Sequence, residues 1–417
     1  MVSEGSTIYP IKRNANLNAS QAMADDGNPP GKMIFITLLA GDAKTQKASK
    51  FSLGFNVCLQ QANHLSNPTM HRRNFFKTTG LAALATGIPG FKIMAENTEN
   101  HKTHLLKPAR LREGATIALI APCSPPSAEK MAKGISNLTQ LGFKIIEGKS
   151  LRAFNGYLAG TDEERLADLH WAFKNPEIDA VWCIRGGYGA GRLLPKIDYE
   201  LIRRHPKPLI GYSDVTALHL AIHQRTGLVT FHGPVAASDY PENTLRHFNS
   251  VLMQPVVPYE ITAPSLGNES DSIDYQPFVI TKGQANGALT GGNLSLLAAM
   301  AGTPFAPVFK KKIVFIEEVG EQPYRIDRML TQLIQATDLA QAAGIVLGVF
   351  NDCQPKPDSP SLSLPDALRD RLGGLGIPVV YGIPFGHVAH QATLPYGIEA
   401  KLEADTMRLT ILETAVV

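Results

Sequence analysis

From residue 111 onward, short apolar runs alternate with stretches whose hydrophobic positions recur at helical spacing. Residues 116–121 form a nearly unbroken apolar run closed by the turn-rich Pro122-Cys123-Ser124-Pro125-Pro126, and predict a buried strand. Residues 128–141 carry a helical pattern that stops before Gly142. A strand at 143–146, a charged helix at 161–174 and a strand at 180–184 follow. A glycine-rich turn then leads into a helix-forming segment at 190–195. Residues 208–211 read as one more short strand, turning at Tyr212-Ser213-Asp214 into a helix at 215–224. Apolar strands alternating with amphipathic helices predict an α/β fold with a mostly parallel sheet covered by helices on both faces.

The pattern changes after residue 239. Residues 240–288 are rich in Pro, Asn, Ser and Asp, with weak periodicity, and read as a domain connection with irregular β structure. Gly291-Gly292-Asn293-Leu294 opens a second domain with a helix through Met300. Strands are expected at 312–316, 344–350 and 379–382, and terminal strands at 401–403 and 408–412. The expected organisation is an N-terminal α/β domain over 111–239, the connection over 240–288 and a second domain over 289–417.

The chain has 417 residues, 44% of them hydrophobic, which is room for two or three cored domains and excludes a wholly disordered chain. Its 40 basic and 37 acidic residues give a formal charge of +3. Ten of the basic and four of the acidic side chains precede Glu96, so the body is mildly acidic. That balance, with no continuous basic and aromatic stripe, gives nucleic-acid binding no support. Cys58, Cys123, Cys183 and Cys353 are too far apart for a zinc knuckle or a dense disulfide framework. Cys183, inside Val181-Trp182-Cys183-Ile184, is expected to be a buried thiol. His219 and His223 are four residues apart but lack the H-E-x-x-H pattern, and His387 with His390 defines no zinc site either. No metal and no organic cofactor is expected.

Before residue 70 the chain is poor in periodicity. Met70-His71-Arg72-Arg73-Asn74-Phe75-Phe76-Lys77 then precedes a short, mildly apolar segment over 78–91, broken by Gly87, Pro89 and Gly90. Twin arginines, an aromatic pair and a brief apolar stretch match a twin-arginine export signal over 70–95, with cleavage after Ala95; an internal basic helix is the alternative. Export would deliver the protein to the periplasm; the alternative is the cytoplasm. Because such a signal starts a chain, translation is expected to begin at Met70, with residues 1–69 an upstream extension and 96–110 a linker.

Three groups could do chemistry. Ile210-Gly211-Tyr212-Ser213-Asp214 lies between a strand and a helix, where a tight turn would raise the Ser213 hydroxyl above the sheet edge. It departs from G-x-S-x-G at Val215, and the same serine would serve as a plain helix cap. A hydroxyl nucleophile needs an oriented base. Glu317-Glu318-Val319-Gly320-Glu321 places carboxylates just beyond one strand, and Gly386-His387 an imidazole beyond another. Exposed acidic turns, with ordinary surface or salt-bridge roles, explain Glu318 and Glu321 well enough, and His387 could simply cap the segment or bond to backbone. Arg185-Gly186-Gly187-Tyr188-Gly189-Ala190-Gly191 fits neither a dinucleotide fingerprint nor a phosphate loop. It suits close backbone approach to an oxyanion, or a structural turn.

Taken together, Tyr157-Leu158-Ala159-Gly160-Thr161-Asp162, Arg185-Gly186-Gly187-Tyr188-Gly189, Gly211-Tyr212-Ser213-Asp214, Gly291-Gly292-Asn293-Leu294, the segment from Glu317 to Arg328 and Gly386-His387 resemble the LD-carboxypeptidase family of serine peptidases, which has microcin-immunity peptidases as relatives. The resemblance spans 112–417. It implies an N-terminal α/β domain and a β-containing C-terminal domain with the site between them. It carries the nucleophile onto Ser213, the triad carboxylate onto Glu317 and the base onto His387. The oxyanion donors map onto the N–H groups of Gly187 and Asp214, with Gly186 as a near alternative. The implied activity is release of terminal D-Ala from a murein tetrapeptide, without cofactor, by a homodimer. Many family members work in the cytoplasm, in tension with the export signal. Other readings are a serine peptidase for another modified peptide or peptide-nucleotide conjugate, and a non-catalytic murein-fragment binder. Arg325 and Arg328 would either position acidic substrate groups or form intradomain salt bridges.

Overall fold

The computed structural model describes residues 105–263 and 273–417. The twin-arginine segment, its cleavage site, the upstream stretch and Cys58 lie outside the described residues.

The first half runs β1 (Thr116–Ile120), α1 (Ala128–Gln140), β2 (Lys144–Glu147), α2 (Asp162–Lys174), β3 (Ala180–Cys183), α3 (Tyr199–Arg204), β4 (Leu209–Gly211), α4 (Thr216–Thr226) and β5 (Phe231–His232). Local chemistry sets these boundaries. Ser127 caps α1 by accepting from the Lys130 N–H. Thr161 and Glu164 form a reciprocal capping box on α2. Gly227, left-handed at φ 76°, ends α4. The helix expected at 190–195 is instead two single 3-10 turns, Ala190–Arg192 and Leu194–Lys196, because Pro195 cannot donate to a continuing helix.

β2, β1, β3, β4 and β5 are all parallel in that spatial order. β3 is buried along its whole length, hence its unbroken apolar sequence. Trp182 on β3 donates Nε1–H to the Pro234 carbonyl at 2.8 Å and stacks on Phe248 with ring centroids 5.1 Å apart. That contact pins α5 (Glu242–Phe248) to the sheet.

The second half adds β6 (Tyr259–Thr262), β7 (Phe278–Thr281), β8 (Gln284–Asn293), α6 (Leu294–Met300), β9 (Ile313–Val319), α7 (Pro323–Ala336), β10 (Gly344–Asn351), α8 (Leu364–Leu372), β11 (Val379–Tyr381), β12 (Leu394–Pro395), β13 (Glu399–Glu403) and β14 (Arg408–Ile411). Its eight-stranded sheet runs β6-β14-β13-β8-β9-β10-β11-β7. β8 to β11 are parallel, and antiparallel strands flank them. The segment 240–288 is therefore more than a connection: it supplies β6, β7 and the start of β8. β12 crosses over to pair antiparallel with β5 of the first sheet.

Helix α4 couples the halves. Its residues 216–222 are all buried, and the Thr216 hydroxyl oxygen accepts from the Asn293 N–H at the end of β8 at 3.1 Å. His219 donates to the Gly211 carbonyl at 2.9 Å and stacks on Tyr396, whose hydroxyl donates to the Gly291 carbonyl at 2.8 Å. His223 donates to the Leu228 carbonyl at 3.0 Å. Burial pulls these imidazoles down to about 3 and about 4, so both are neutral packing groups. Cys123, Cys183 and Cys353 are all buried free thiols.

Candidate active site

Ser213 follows the carboxyl end of β4 and opens a 3-10 turn, Ser213–Val215, that continues into α4. Its φ is 64°, a left-handed conformation that side chains other than glycine seldom adopt. The cap position of that turn is Tyr212 and that of α4 is Val215, neither with a side-chain cap bond, and among the described residues the Ser213 hydroxyl bonds to no N–H of the helix start. The cap alternative therefore lapses, and a positive-φ serine at a strand-to-helix turn remains, which is the backbone form of a nucleophile elbow.

The loop after β3 closes on this turn. A Cβ placed on Gly186 would lie 2.8 Å from Ser213 Cβ, 3.0 Å from its Oγ and 3.2 Å from the Asp214 N. Only a residue without a side chain permits that approach. Gly187, at φ 120°, packs against Ser124, whose hydroxyl oxygen accepts from the Tyr188 N–H at 3.1 Å. The N–H groups of Gly186 and Gly187 have no hydrogen-bond partner among the described residues, so either can face an oxyanion. The buried Asp214 carboxylate accepts from the Ala190 N–H at 2.8 Å, tying the start of α4 to the glycine loop. Burial pushes this carboxyl up, and the Ala190 N–H and the Cys123 thiol partly offset that push.

The second sheet supplies a carboxylate and an imidazole in contact. Glu317 is fully buried inside β9, not beyond a strand, because β9 runs on to Val319. Its Oε2 accepts from His387 Nδ1 at 2.7 Å. Gly386, at φ 104°, makes this approach possible: a Cβ there would fall 2.7 Å from Glu317 Cβ and 2.9 Å from Oε2. Burial opposes charge on both groups. On His387 the Glu317 charge and hydrogen bond outweigh it and hold the imidazole above its ordinary 6.5. On Glu317 the same pairing holds the carboxyl below its ordinary 4.5.

Tyr212 joins the two sets. It precedes Ser213, and its ring meets the His387 ring edge-on at 4.8 Å. Among the described residues no hydrogen bond links the Ser213 hydroxyl to His387; such contacts tighten when substrate binds. Behind Tyr212 lies His232, fully buried against Phe315 and Phe385 and pulled down to about 4 by burial.

Glu318 departs from the surface role expected of it. It is buried, not an exposed acidic turn, and accepts from Asn293 Nδ2, the Ser295 N–H and hydroxyl, and the Val319 N–H, at 2.6 to 3.0 Å. It thereby anchors the start of α6 to β9 beside Glu317. Glu321 pairs with Arg325 at 3.4 Å, and Arg328 is exposed. Gly386, Tyr212 and Asn293 all lay within the matched motifs, but nothing in the sequence marked them as packing partners of the chemical groups.

Chemically, a serine in an elbow, an imidazole raised by a buried carboxylate and free backbone donors beside the serine define a serine-type hydrolase. The chain belongs to the LD-carboxypeptidase family and is a serine-type carboxypeptidase: residues 117–233 match the LD-carboxypeptidase N-terminal domain and residues 286–402 the LD-carboxypeptidase C-terminal domain. It is 42% identical over 296 residues to a Bacillus subtilis protein named "Probable murein peptide carboxypeptidase", covering 71% of this chain and 91% of that one. It is 37% identical over 306 residues to the murein tetrapeptide carboxypeptidase of Pseudomonas aeruginosa, covering 70% and 94%. The crystal structure of muramoyltetrapeptide carboxypeptidase from Oxalobacter formigenes superposes with a TM-score of 0.62 at 30% identity, covering 72% of this chain and 99% of that one.

Proposed function

We propose that this carboxypeptidase releases the terminal D-Ala from a murein tetrapeptide, cleaving an L,D bond through an acyl-enzyme on Ser213. The observation that carries the mechanism is the positive-φ Ser213 turn lying against Tyr212, whose ring meets the His387–Glu317 pair. The relatives' names support the substrate. In this reading Ser213 Oγ attacks the carbonyl carbon as His387 Nε2 takes its proton. Glu317 keeps Nδ1 protonated and stabilises the imidazolium. The Asp214 N–H with that of Gly187, or of neighbouring Gly186, receives the tetrahedral oxyanion; one such donor is worth about 3 kcal/mol. The C–N bond breaks as His387 returns the proton to the departing amine, and D-Ala leaves. Water, deprotonated by the same imidazole, then opens the ester and regenerates the serine.

The test is product analysis on defined tetrapeptides that differ only in terminal stereochemistry. Wild-type protein should release D-Ala, and Ser213→Ala should lower the rate by at least about 10⁴-fold. Preference for a terminal L-residue would reject the L,D assignment, and equal rates in the variant would reject the nucleophile.

The reading extends to location and assembly. The twin-arginine motif supports export to the periplasm from a start at Met70, and the family resemblance supports a homodimer. Fractionation of cells carrying Arg72→Lys with Arg73→Lys should move the protein from periplasm to cytoplasm. Peptides from residues 1–69 recovered in quantity from native protein would reject the Met70 start. Sedimentation equilibrium returning a monomer would reject the dimer.

A further inference from the structure

A peptidase that removes one terminal residue must recognise a chain end. At neutral pH that end is a carboxylate one residue past the scissile carbonyl, and consecutive α-carbons lie about 3.8 Å apart. The group that receives it therefore belongs to the elements bordering the nucleophile. The loop following β3 over 185–189 lies against Ser213, and the loop following β1 over 122–126 packs on it through Ser124.

Three arginines serve this region, and two are engaged with acid. Arg165 is fully buried, with its guanidinium on Asp162 at 2.6 Å, on the Gly189 carbonyl at 3.0 Å and on the Pro122 carbonyl. Arg192 pairs with Asp162 at 2.8 Å. Arg185 differs. It is half-buried, donates Nε–H to the Gly186 carbonyl at 3.2 Å and Nη1–H to the Pro125 carbonyl at 3.2 Å, and has no acidic partner among the described residues. Those two carbonyls belong to these two loops, so they fix the cation in place without neutralising it. A guanidinium has five N–H donors, so three are left over, one on Nη1 and both on Nη2, to receive a carboxylate. Through Gly186, whose added Cβ would lie 3.0 Å from Ser213 Oγ, the Arg185 Nε is no more than about 10 Å from the hydroxyl, summing the intervening bonds and contacts.

We infer that Arg185 receives the terminal carboxylate of the substrate and so makes the enzyme specific for a chain end. This rests on the serine-carboxypeptidase reading of the Ser213 site. The competing role is a purely structural bridge between the two loops. That role would hold the Ser213 surroundings together for every substrate alike, whereas a carboxylate receptor acts only on substrates that carry the charge.

The experiment compares kcat/KM for a murein tetrapeptide with a free terminal carboxylate and for the same peptide ending in a carboxamide. Wild-type protein should prefer the acid by roughly 100-fold. In Arg185→Gln the loss should fall on the acid, chiefly through KM, and spare the carboxamide; Arg185→Lys should recover part of the preference. Equal loss on both peptides, or no loss on either, overturns the assignment. The same pair of peptides titrated calorimetrically into Ser213→Ala protein reads the discrimination without turnover. If wild-type protein cleaves neither peptide but Arg185→Gln erases a binding preference for the acid in the Ser213→Ala background, the peptidase reading fails and the carboxylate receptor stands. If the acid is cleaved equally well with and without Arg185, the receptor fails and the peptidase stands.

Discussion

The two sheets hold their chemical groups by different physical means. On the first, Ser213 is placed by backbone: a left-handed φ, a glycine loop in van der Waals contact and a helix buried on nearly every face. On the second, Glu317 and His387 are placed by charge: a fully buried carboxylate whose burial is offset by one imidazole. A strained backbone stores energy that a better-suited residue would release. A buried ion pair stores energy that is lost when either partner is removed. Relieving the strained turn in the first region and breaking the pair in the second should therefore move stability in opposite directions while both reduce activity.

After loss of the nucleophile itself, the largest effect on turnover is expected from Glu317→Gln, which keeps shape but removes the charge that fixes the His387 tautomer. The kcat should fall by about 10³- to 10⁴-fold. His387 must be neutral to act as base, so its raised pKa makes wild-type activity fall away on the acid side at a higher pH than an ordinary imidazole would. With Glu317 neutralised, burial is left to pull the imidazole down, and the acidic limb of the kcat/KM profile should move to lower pH. Stability follows the same pair. The His387 contribution is complete below 6.5 and fades as pH rises through its raised value. The Glu317 contribution is complete above 4.5 and fades as pH falls through its lowered value. Glu317→Gln should thus lower the melting temperature most between those two values. A pH-independent loss would show that the pair is not coupled as described.

Next in size are two glycines that perform the same service on the two sides. Gly186→Ala would drive a methyl into Ser213, and Gly386→Ala would drive one into Glu317. A displacement of about 1 Å costs on the order of 10²-fold in rate. Gly386→Ala carries the added strain of its φ of 104° and presses on the ion pair, so it should also lower the melting temperature and shift the acidic limb downward. Gly186→Ala should leave the limb where it is. Measured pH profiles of both variants separate the backbone device from the electrostatic one; identical shifts would dissolve the distinction.

How far the sequence could be read follows the same divide. Parallel strands buried on both faces appear as apolar runs, so β1 to β4 of the first sheet lie within a residue or two of where hydrophobic periodicity puts them, while β5 and β12, two residues each, are too short to show a period. In the second, β6 alternates exposed and buried residues over only four positions, and β7 pairs with β11 about a hundred residues later (Phe278 opposite Tyr381). Neither fact has a local signature, and the Pro- and Asn-rich surroundings of both strands look like loop. The burial of Glu318 has no local signature for a related reason. Adjacent residues on a strand point to opposite faces, and two neighbouring carboxylates are expected inside a protein only when both faces are covered and polar partners wait on each. Asn293 and Ser295 are those partners, supplied from a different strand and helix. The chemical groups themselves were legible only as a set: Ser213, Glu317 and His387 are far apart in the chain, and family resemblance, not spacing, brought them together.

The smallest expected effect is the most discriminating. Ser213→Gly removes the hydroxyl, so turnover should cease as in Ser213→Ala, but the two variants should part in stability. A left-handed conformation costs a residue with a side chain about 1–2 kcal/mol, and glycine adopts it freely, at the expense of a more mobile unfolded chain worth about 0.4–1 kcal/mol. The difference leaves a gain on the order of 1 kcal/mol for Ser213→Gly, or about 2 °C in melting temperature for a body of this size. Ser213→Ala keeps the strain and should melt close to wild type. An inactive enzyme more stable than its parent on the first sheet, beside an inactive and less stable Glu317→Gln on the second, is the pairing that backbone strain and buried charge require. If Ser213→Gly melts below Ser213→Ala, the turn is not strained, and Ser213 is held by contacts of its side chain instead of by the fold of the main chain around it.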